Sequence, residues 1–161
     1  MEDQFVISQV IRPDTVDLYL KGIKDKQHLL DTLIKKFYAA GVIESREEFL
    51  KAIYEREALG PTYMDNFIAI PHGKSKTVKT PAVAFGRCEE GVYYDTQLGG
   101  GIVKLVFMLA IPGEMSAEQY IRVLSRLARL LIYEDFIQDL HQAHSYADVL
   151  AAIKEGEKKL S

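Results

Sequence analysis

One histidine stands in a sequence setting that suits group transfer. His72 follows the apolar residues 67–70, and Pro71 between them fixes the approach of the backbone. Gly73 removes side-chain bulk after the histidine, so a tetrahedral group could come close to the peptide N–H groups. A neutral imidazole carries a lone pair near neutral pH and can therefore act as a nucleophile. The alternative is a histidine that merely caps the end of a strand, and spacing alone does not exclude it.

Two residues upstream of His72 could assist such chemistry. Arg56 lies near the end of a predicted helix, and its planar guanidinium could clamp phosphate oxygens. Thr62 could add a hydroxyl group to the same site. Each residue also has an ordinary explanation, because Arg56 could form a surface ion pair and Thr62 could be a turn residue after Pro61.

Two nucleotide-binding motifs are excluded by their spacing. Gly73-Lys74-Ser75 is similar to the end of a P-loop, but Ile68 occupies the position of the required earlier glycine. Gly99 and Gly101 lack the third glycine of the dinucleotide fingerprint, because position 104 is a lysine. We therefore expect no nucleotide cofactor.

The remaining metal-ligating residues do not form a recognisable site. His141 and His144 could share a helix face, but two exposed histidines near a helix junction are the simpler interpretation. The single cysteine, Cys88, excludes an internal disulfide and every CxxC motif. We therefore expect neither a bound metal nor another cofactor.

The composition is typical of a soluble globular protein. Of 161 residues, 48% are hydrophobic and 27% are charged, which argues against disorder. Twenty basic and 23 acidic residues give a formal charge of −3, so with no long basic run we expect no nucleic-acid partner. The segment Met1-Glu2-Asp3-Gln4 has a net negative charge and is unlike a signal peptide, and no apolar run approaches the roughly 20 residues of a spanning helix. We expect a cytoplasmic protein without membrane insertion.

The first third of the chain predicts one strand and two helices. Residues 16–20 alternate in the manner of a strand. Asp25 then caps an amphipathic helix, for which Gly41 suits a left-handed end. Ser45 opens a capping box at the start of the second helix, which should end at Gly60.

The rest of the chain predicts strands and then helices. Apolar, β-prone segments occupy residues 67–70, 82–85 and 103–110. Residues 105–109 are apolar at every position, which predicts a central strand covered on both faces. A capping box of Ser116 and Gln119 opens a helix. Two shorter helices follow over residues 133–143 and 145–153, and a polar tail, residues 155–161, should fray.

This order predicts one domain over residues 1–161 with a core of about residues 13–153. The fold class is α/β, with three α/β/α layers, a small mixed sheet and the order β-α-α-β-β-β-α-α-α.

Two segments together resemble a known signature, namely Arg56-Glu57-Ala58-Leu59-Gly60-Pro61-Thr62 and Asn66-Phe67-Ile68-Ala69-Ile70-Pro71-His72-Gly73-Lys74. They are similar to the enzyme IIA domain of the fructose/mannitol family (type 2) of the bacterial phosphoenolpyruvate-dependent sugar phosphotransferase system. The resemblance extends through residues 103–112 and 124–128 and covers nearly the whole chain.

The resemblance implies a phosphotransferase that works through a phosphohistidine. Such a domain accepts a phosphoryl group from the carrier HPr and passes it to a cysteine of an enzyme IIB, for uptake of fructose, mannitol or a related sugar. By motif, His72 carries the phosphoryl group on Nε2, and Arg56 neutralises phosphate charge. We expect Thr62 and Gly73 to help bind the phosphate. Positioning and charge stabilisation would account for most of the catalysis.

The chain departs from the family pattern at one position. Many members have a second active-site histidine in the helix after residues 103–112, and Tyr120 stands at the matching place here. A phenol can donate a hydrogen bond to phosphate but brings no positive charge at neutral pH. The departure favours an alternative function, a phosphorylation-dependent regulatory module that binds a protein target. The sugar and a homodimeric state are left open.

Overall fold

The computed structural model describes residues 6–160 of the chain. The expectation of no signal peptide rests on residues 1–4, and that of a fraying tail rests partly on Ser161. These residues lie outside the described part of the chain. The elements are α1 (Ile7–Val10), β1 (Ile11–Asp17), α2 (Lys26–Ala39), α3 (Arg46–Glu57), β2 (Tyr63–Met64), β3 (Ile68–Ala69), β4 (His72–Ser75), β5 (Ala82–Tyr94), β6 (Gly101–Pro112), α4 (Ala117–Leu130), α5 (Glu134–Gln142) and α6 (Tyr146–Lys159).

The six strands form one mixed sheet. Its order is β1-β5-β6-β3-β2, and β4 also pairs with β6. β5 and β6 form an antiparallel hairpin, whereas β1 runs parallel to β5, and β3 and β4 run parallel to β6. β3 and β4 therefore lie one after the other along the same edge of β6.

The central strand β6 is covered on both faces, as its sequence predicts. Successive residues of a strand point to opposite faces. Val106, Met108 and Ala110 pack in one core with α2 and α3. Leu105, Phe107 and Leu109 pack in a second core with α4, α5 and α6. The expected three-layer α/β/α fold is thereby confirmed.

The first strand lies earlier in the chain than predicted. Residues 16–20 were expected to form it, but β1 spans Ile11–Asp17, with a register irregularity between Ile11 and Val16. Pro13 is tolerated because β1 lies at the edge of the sheet. Leu18 and Leu20 are buried outside any strand, and this burial produced the misleading alternation.

Several other boundaries differ from the prediction. The short elements α1, β2 and β4 were not predicted, and β5 continues to Tyr94 past a register shift that hides its periodicity. The tail expected to fray from residue 155 is helical to Lys159. It is held because Gly156 is buried and the Glu157 carboxylate accepts a hydrogen bond from the Ser8 amide at 3.2 Å.

The predicted N-terminal caps of three helices are confirmed, whereas α3 ends at Glu57, three residues before the predicted end at Gly60. The side chains of Asp25, Ser45 and Ser116 accept hydrogen bonds from the first turns of α2, α3 and α4, and the capping box of Ser116 with Gln119 is complete. Gly41 has the left-handed φ of +77° that ends α2. Across residues 6–160, no helix has both the length and the apolar character needed to cross a membrane.

A buried arginine ties α5 to the sheet. Arg87 of β5 directs Nη1 at the carbonyl oxygens of Leu140, His141 and Ala143, at distances of 2.8 to 3.0 Å. These carbonyls belong to the end of α5, where helix carbonyls have no intrahelical partner. The guanidinium therefore acts as a C-terminal cap from a neighbouring strand.

Replacing this arginine should lower the stability of the fold. Arg87→Met removes charge-assisted hydrogen bonds and leaves buried carbonyls unsatisfied, so we expect a loss of about 2–4 kcal/mol in the free energy of unfolding. Urea unfolding followed by circular dichroism measures it. The exposed Arg126 provides the control, and Arg126→Met should change stability by less than about 0.5 kcal/mol. Equal effects of the two substitutions would contradict the capping role.

Candidate functional site

His72 begins a strand, whereas the sequence predicted that it follows one. β3 ends at Ala69, Pro71 interrupts the edge because it has no N–H to donate, and β4 starts at His72, which pairs with Leu109 of β6. A Cβ atom on Gly73 would lie 3.2 Å from side-chain atoms of Phe49 and Ala52 on α3. Because neighbours along a strand point oppositely, His72 faces away from α3.

The hydrogen bonding of His72 leaves one ring nitrogen free. Nδ1 lies 2.7 Å from the carbonyl oxygen of Ile70. A carbonyl only accepts, so Nδ1 carries the proton and Nε2 carries the lone pair. Nε2 is buried and has no hydrogen-bond partner among the described residues. The side chain thus presents an unengaged lone pair, the arrangement that a nucleophile requires.

The surroundings of His72 keep its ring neutral. The residue is only 1% exposed, and this burial lowers the pKa of His72 below its ordinary value. The nearby charge of Arg56 lowers the pKa further, whereas the hydrogen bond to Ile70 and the charge of Glu57 oppose the shift. The ring therefore stays in its nucleophilic form to a lower pH than an ordinary histidine.

Tyr120, in the first turn of α4, lies directly against His72. The two ring centroids are 5.7 Å apart in an edge-to-face arrangement. Lys74, two residues after His72 on the same face of β4, places Nζ 5.9 Å from the centroid of the Tyr120 ring. Lys74 brings a positive charge to the site that the sequence analysis did not single out.

Arg56 belongs to the same group of side chains. Its Nη1 donates to the carbonyl oxygen of Gly60 at 2.8 Å. Burial raises the pKa of Tyr120, and the Arg56 guanidinium, which interacts with the Tyr120 hydroxyl, opposes this increase. The structure thus brings Arg56, His72 and Tyr120 together, although they come from a helix end, a strand start and a second helix.

Thr62 and Gly73 have other contacts in the structure than those predicted. The hydroxyl of the buried Thr62 donates to the carboxylate of Glu57 and lies 3.1 Å from the hydroxyl of Tyr94. The missing side chain of Gly73 makes room for α3. A contact of either residue with phosphate stays a prediction.

Sequence analysis missed the polar cluster beside Arg56. Glu57 is 8% exposed and forms an ion pair with Lys26 at 2.8 Å. It also accepts hydrogen bonds from Thr62 and Tyr94. One signal was available in the sequence. Glu57 lies at the C-terminal end of a predicted helix, where the helix dipole disfavours an acidic side chain unless a cation compensates its charge.

The described residues offer no evident metal site. No three histidine, cysteine, aspartate or glutamate side chains between residues 6 and 160 are grouped closely enough to hold an ion. His141 is partly buried and His144 is exposed, on either side of the junction between α5 and α6.

Comparison with known proteins identifies the family. Residues 9–156 match the family described as "Phosphoenolpyruvate-dependent sugar phosphotransferase system, EIIA 2". A fructose-specific EIIA component of Haloferax volcanii is 35% identical over 81% of this chain and 85% of its own length. A fructose-specific EIIABC component of Bacillus subtilis is 33% identical over 94% of this chain, and this chain spans only 24% of that protein.

Solved structures agree with this result. The nitrogen regulatory protein IIA-Ntr of Neisseria meningitidis has a TM-score of 0.81 and 26% identity, over 92% of this chain and 99% of its own. Enzyme IIA mannitol of Escherichia coli, in complex with phosphorylated enzyme IIB mannitol, has a TM-score of 0.71 and 25% identity. The match covers 91% of this chain and 99% of that one. The chain therefore belongs to the EIIA 2 family of the phosphoenolpyruvate-dependent sugar phosphotransferase system.

Proposed function

We propose that this protein is a phosphocarrier that takes a phosphoryl group from phospho-HPr onto Nε2 of His72 and passes it to a cysteine of an enzyme IIB. The observation that carries the proposal is the buried Nε2 lone pair, free of hydrogen bonds among the described residues and close to Arg56. The complex of the mannitol relative with enzyme IIB supports an acceptor of that class.

The transfer itself needs little chemistry from the protein. The Nε2 lone pair of His72 attacks phosphorus, and the bond from phosphorus to the donor imidazole breaks, so the donor leaves with its electron pair. Positive charge then develops on the His72 ring, and the Ile70 carbonyl that accepts from Nδ1 stabilises it. Arg56 neutralises charge on the phosphoryl oxygens. In the second step, a thiolate sulfur of enzyme IIB attacks phosphorus and releases His72 as a neutral imidazole.

Tyr120 has two roles in this proposal. Nε2 is buried and the Tyr120 ring packs against the His72 ring, so we propose that the Tyr120 ring turns aside before a phosphoryl group reaches Nε2. The hydroxyl can then donate to a phosphoryl oxygen, in the place where many relatives have a second histidine. The N-terminus of α4 adds a favourable field for an anion.

Removal of the Tyr120 hydroxyl should have a modest effect. Tyr120→Phe removes one neutral hydrogen bond, worth roughly 1 kcal/mol, so we expect phosphoryl transfer to slow by about fivefold. Tyr120→His should be tolerated and could speed transfer, because it restores the common pattern. Rapid-quench measurement of labelling from phospho-HPr compares the variants. A Tyr120→Phe variant as fast as the wild type would exclude a role of the hydroxyl.

Reconstitution tests the function as a whole. The protein is mixed with enzyme I, HPr and labelled phosphoenolpyruvate, and then with an enzyme IIB. We expect label first on this chain and then on the IIB cysteine. A protein that takes up no label under these conditions would contradict the proposal.

A regulatory module is the second candidate. It is favoured by the similarity to IIA-Ntr, whose description is that of a nitrogen regulatory protein. A protein that is labelled on His72 but transfers nothing to enzyme IIB would support this candidate over the first.

A further inference from the structure

A chain of hydrogen bonds runs from the polar cluster beside Arg56 to the ring of His72. The Thr62 hydroxyl donates to Glu57, and the Thr62 carbonyl accepts from the Ile70 amide at 2.9 Å. The Ile70 carbonyl in turn accepts from Nδ1 of His72 at 2.7 Å. Thr62 therefore links a buried carboxylate to the residue that sets the His72 tautomer.

The same cluster fixes the loop to which Arg56 binds. Glu57 ends α3 and Thr62 lies five residues later, so their contact closes the loop between them. Inside this loop, the Gly60 amide donates to the Glu57 carbonyl at 3.2 Å. The Gly60 carbonyl accepts from Arg56. A movement of Thr62 would therefore disturb both Arg56 and His72.

The positions of the charges on Glu57 and Lys26 argue against a purely stabilising role for this ion pair. Glu57 is at the C-terminal end of α3 and Lys26 is the first residue of α2, so each charge lies at the helix end that disfavours it. Buried ion pairs contribute little net stability compared with apolar side chains of similar volume. Lys26 also donates to the Asp95 carbonyl at 2.7 Å and lies over the Tyr94 ring, which makes the cluster rigid.

We propose that Glu57 and Thr62 are positioning residues for phosphoryl transfer, which hold the Arg56 guanidinium and the Nδ1–H tautomer of His72 in the reactive arrangement. The inference rests on the proposed function of His72. It also gives the Thr62 hydroxyl, which donates to Glu57, a role other than the phosphate contact expected from the sequence.

A pair of threonine substitutions tests the inference. Thr62→Val keeps the volume of the side chain and removes its hydroxyl. Thr15→Val does the same for a fully buried threonine of β1, whose hydroxyl donates to the Val83 carbonyl at 2.9 Å at the other edge of the sheet. Each variant is measured for thermal stability and for the single-turnover rate of labelling from phospho-HPr.

We expect similar decreases in melting temperature for the two variants but different rates. Thr62→Val should transfer at least about fivefold more slowly, because small displacements of reacting groups have large effects on rate. Thr15→Val should stay within about twofold of the wild-type rate. Thr62→Ser keeps the hydroxyl and should recover the rate that Thr62→Val loses. The ¹⁵N shifts of the His72 ring should report one tautomer in the wild type and a mixture in Thr62→Val.

The outcomes separate this inference from the proposed function. If the wild type is labelled on His72 and Thr62→Val is labelled equally fast with an unchanged tautomer, the positioning role is wrong and the phosphocarrier function stands. If the wild type is not labelled on His72, the phosphocarrier function itself fails. If transfer slows equally in Thr15→Val and Thr62→Val, the slowing reflects a general loss of stability, and the inference is overturned.

Discussion

His72→Ala should abolish phosphorylation by phospho-HPr and leave the fold intact. The variant lacks the nucleophilic nitrogen, and in this account no other side chain can accept the phosphoryl group. The wild type should acquire a label that is released in acid and is stable in base, as expected for a phosphorus–nitrogen bond. Labelling followed by acid and base treatment measures this, and circular dichroism verifies the fold of the variant.

The other three histidines provide matched controls. His28 lies in α2, His141 in α5, and His144 between α5 and α6. Alanine variants at these positions should label at the wild-type rate. Normal labelling of His72→Ala, or a label mapped to one of the three controls, would show that the assignment is wrong.

Arg56→Ala should slow phosphorylation by at least about tenfold with only a small change in melting temperature. A clamp on developing charge is worth on the order of 3 kcal/mol of barrier, whereas the single hydrogen bond from Arg56 to the Gly60 carbonyl contributes about 1.5 kcal/mol to folding. Arg56→Lys should rescue the rate only in part, because an ammonium group lacks the planar fork that binds two oxygens. Single-turnover kinetics and thermal unfolding of the same samples separate the two effects.

Arg46 provides the control for this substitution. It is an exposed cation in the first turn of the same helix, where its guanidinium lies 5.1 Å from the Tyr38 ring. Arg46→Ala should leave the rate of transfer unchanged. An Arg56→Ala variant that melts much earlier but transfers at the normal rate would make Arg56 a structural residue.

The sequence predicted those parts of the fold that depend on local interactions. The caps at Asp25, Ser45 and Ser116 were visible because each is a hydrogen bond within one helical turn. The central strand was visible because β6 is apolar on both faces. The start of β1 was missed because its residues around Pro13 do not alternate between apolar and polar. Pairing with β5 keeps this segment extended.

The same distinction applies to the candidate site. His72 was found because its strand, its proline and its glycine are consecutive. The resemblance then favoured the phosphate-binding alternative for Arg56 and supplied Tyr120. The cluster of Glu57, Lys26 and Tyr94 was missed because its members come from three elements far apart in sequence. The contact between the Thr62 and Tyr94 hydroxyls could not be predicted for the same reason.

The most direct measurement is magnetic resonance of the protein after phosphorylation by enzyme I, HPr and phosphoenolpyruvate. A ¹⁵N-labelled sample allows the coupling between phosphorus and each ring nitrogen to be observed. We expect one phosphorus resonance coupled to Nε2 of His72, with Nδ1 still protonated towards the Ile70 carbonyl. A phosphorus resonance coupled to Nδ1 of His72, or to any other residue, would contradict this expectation.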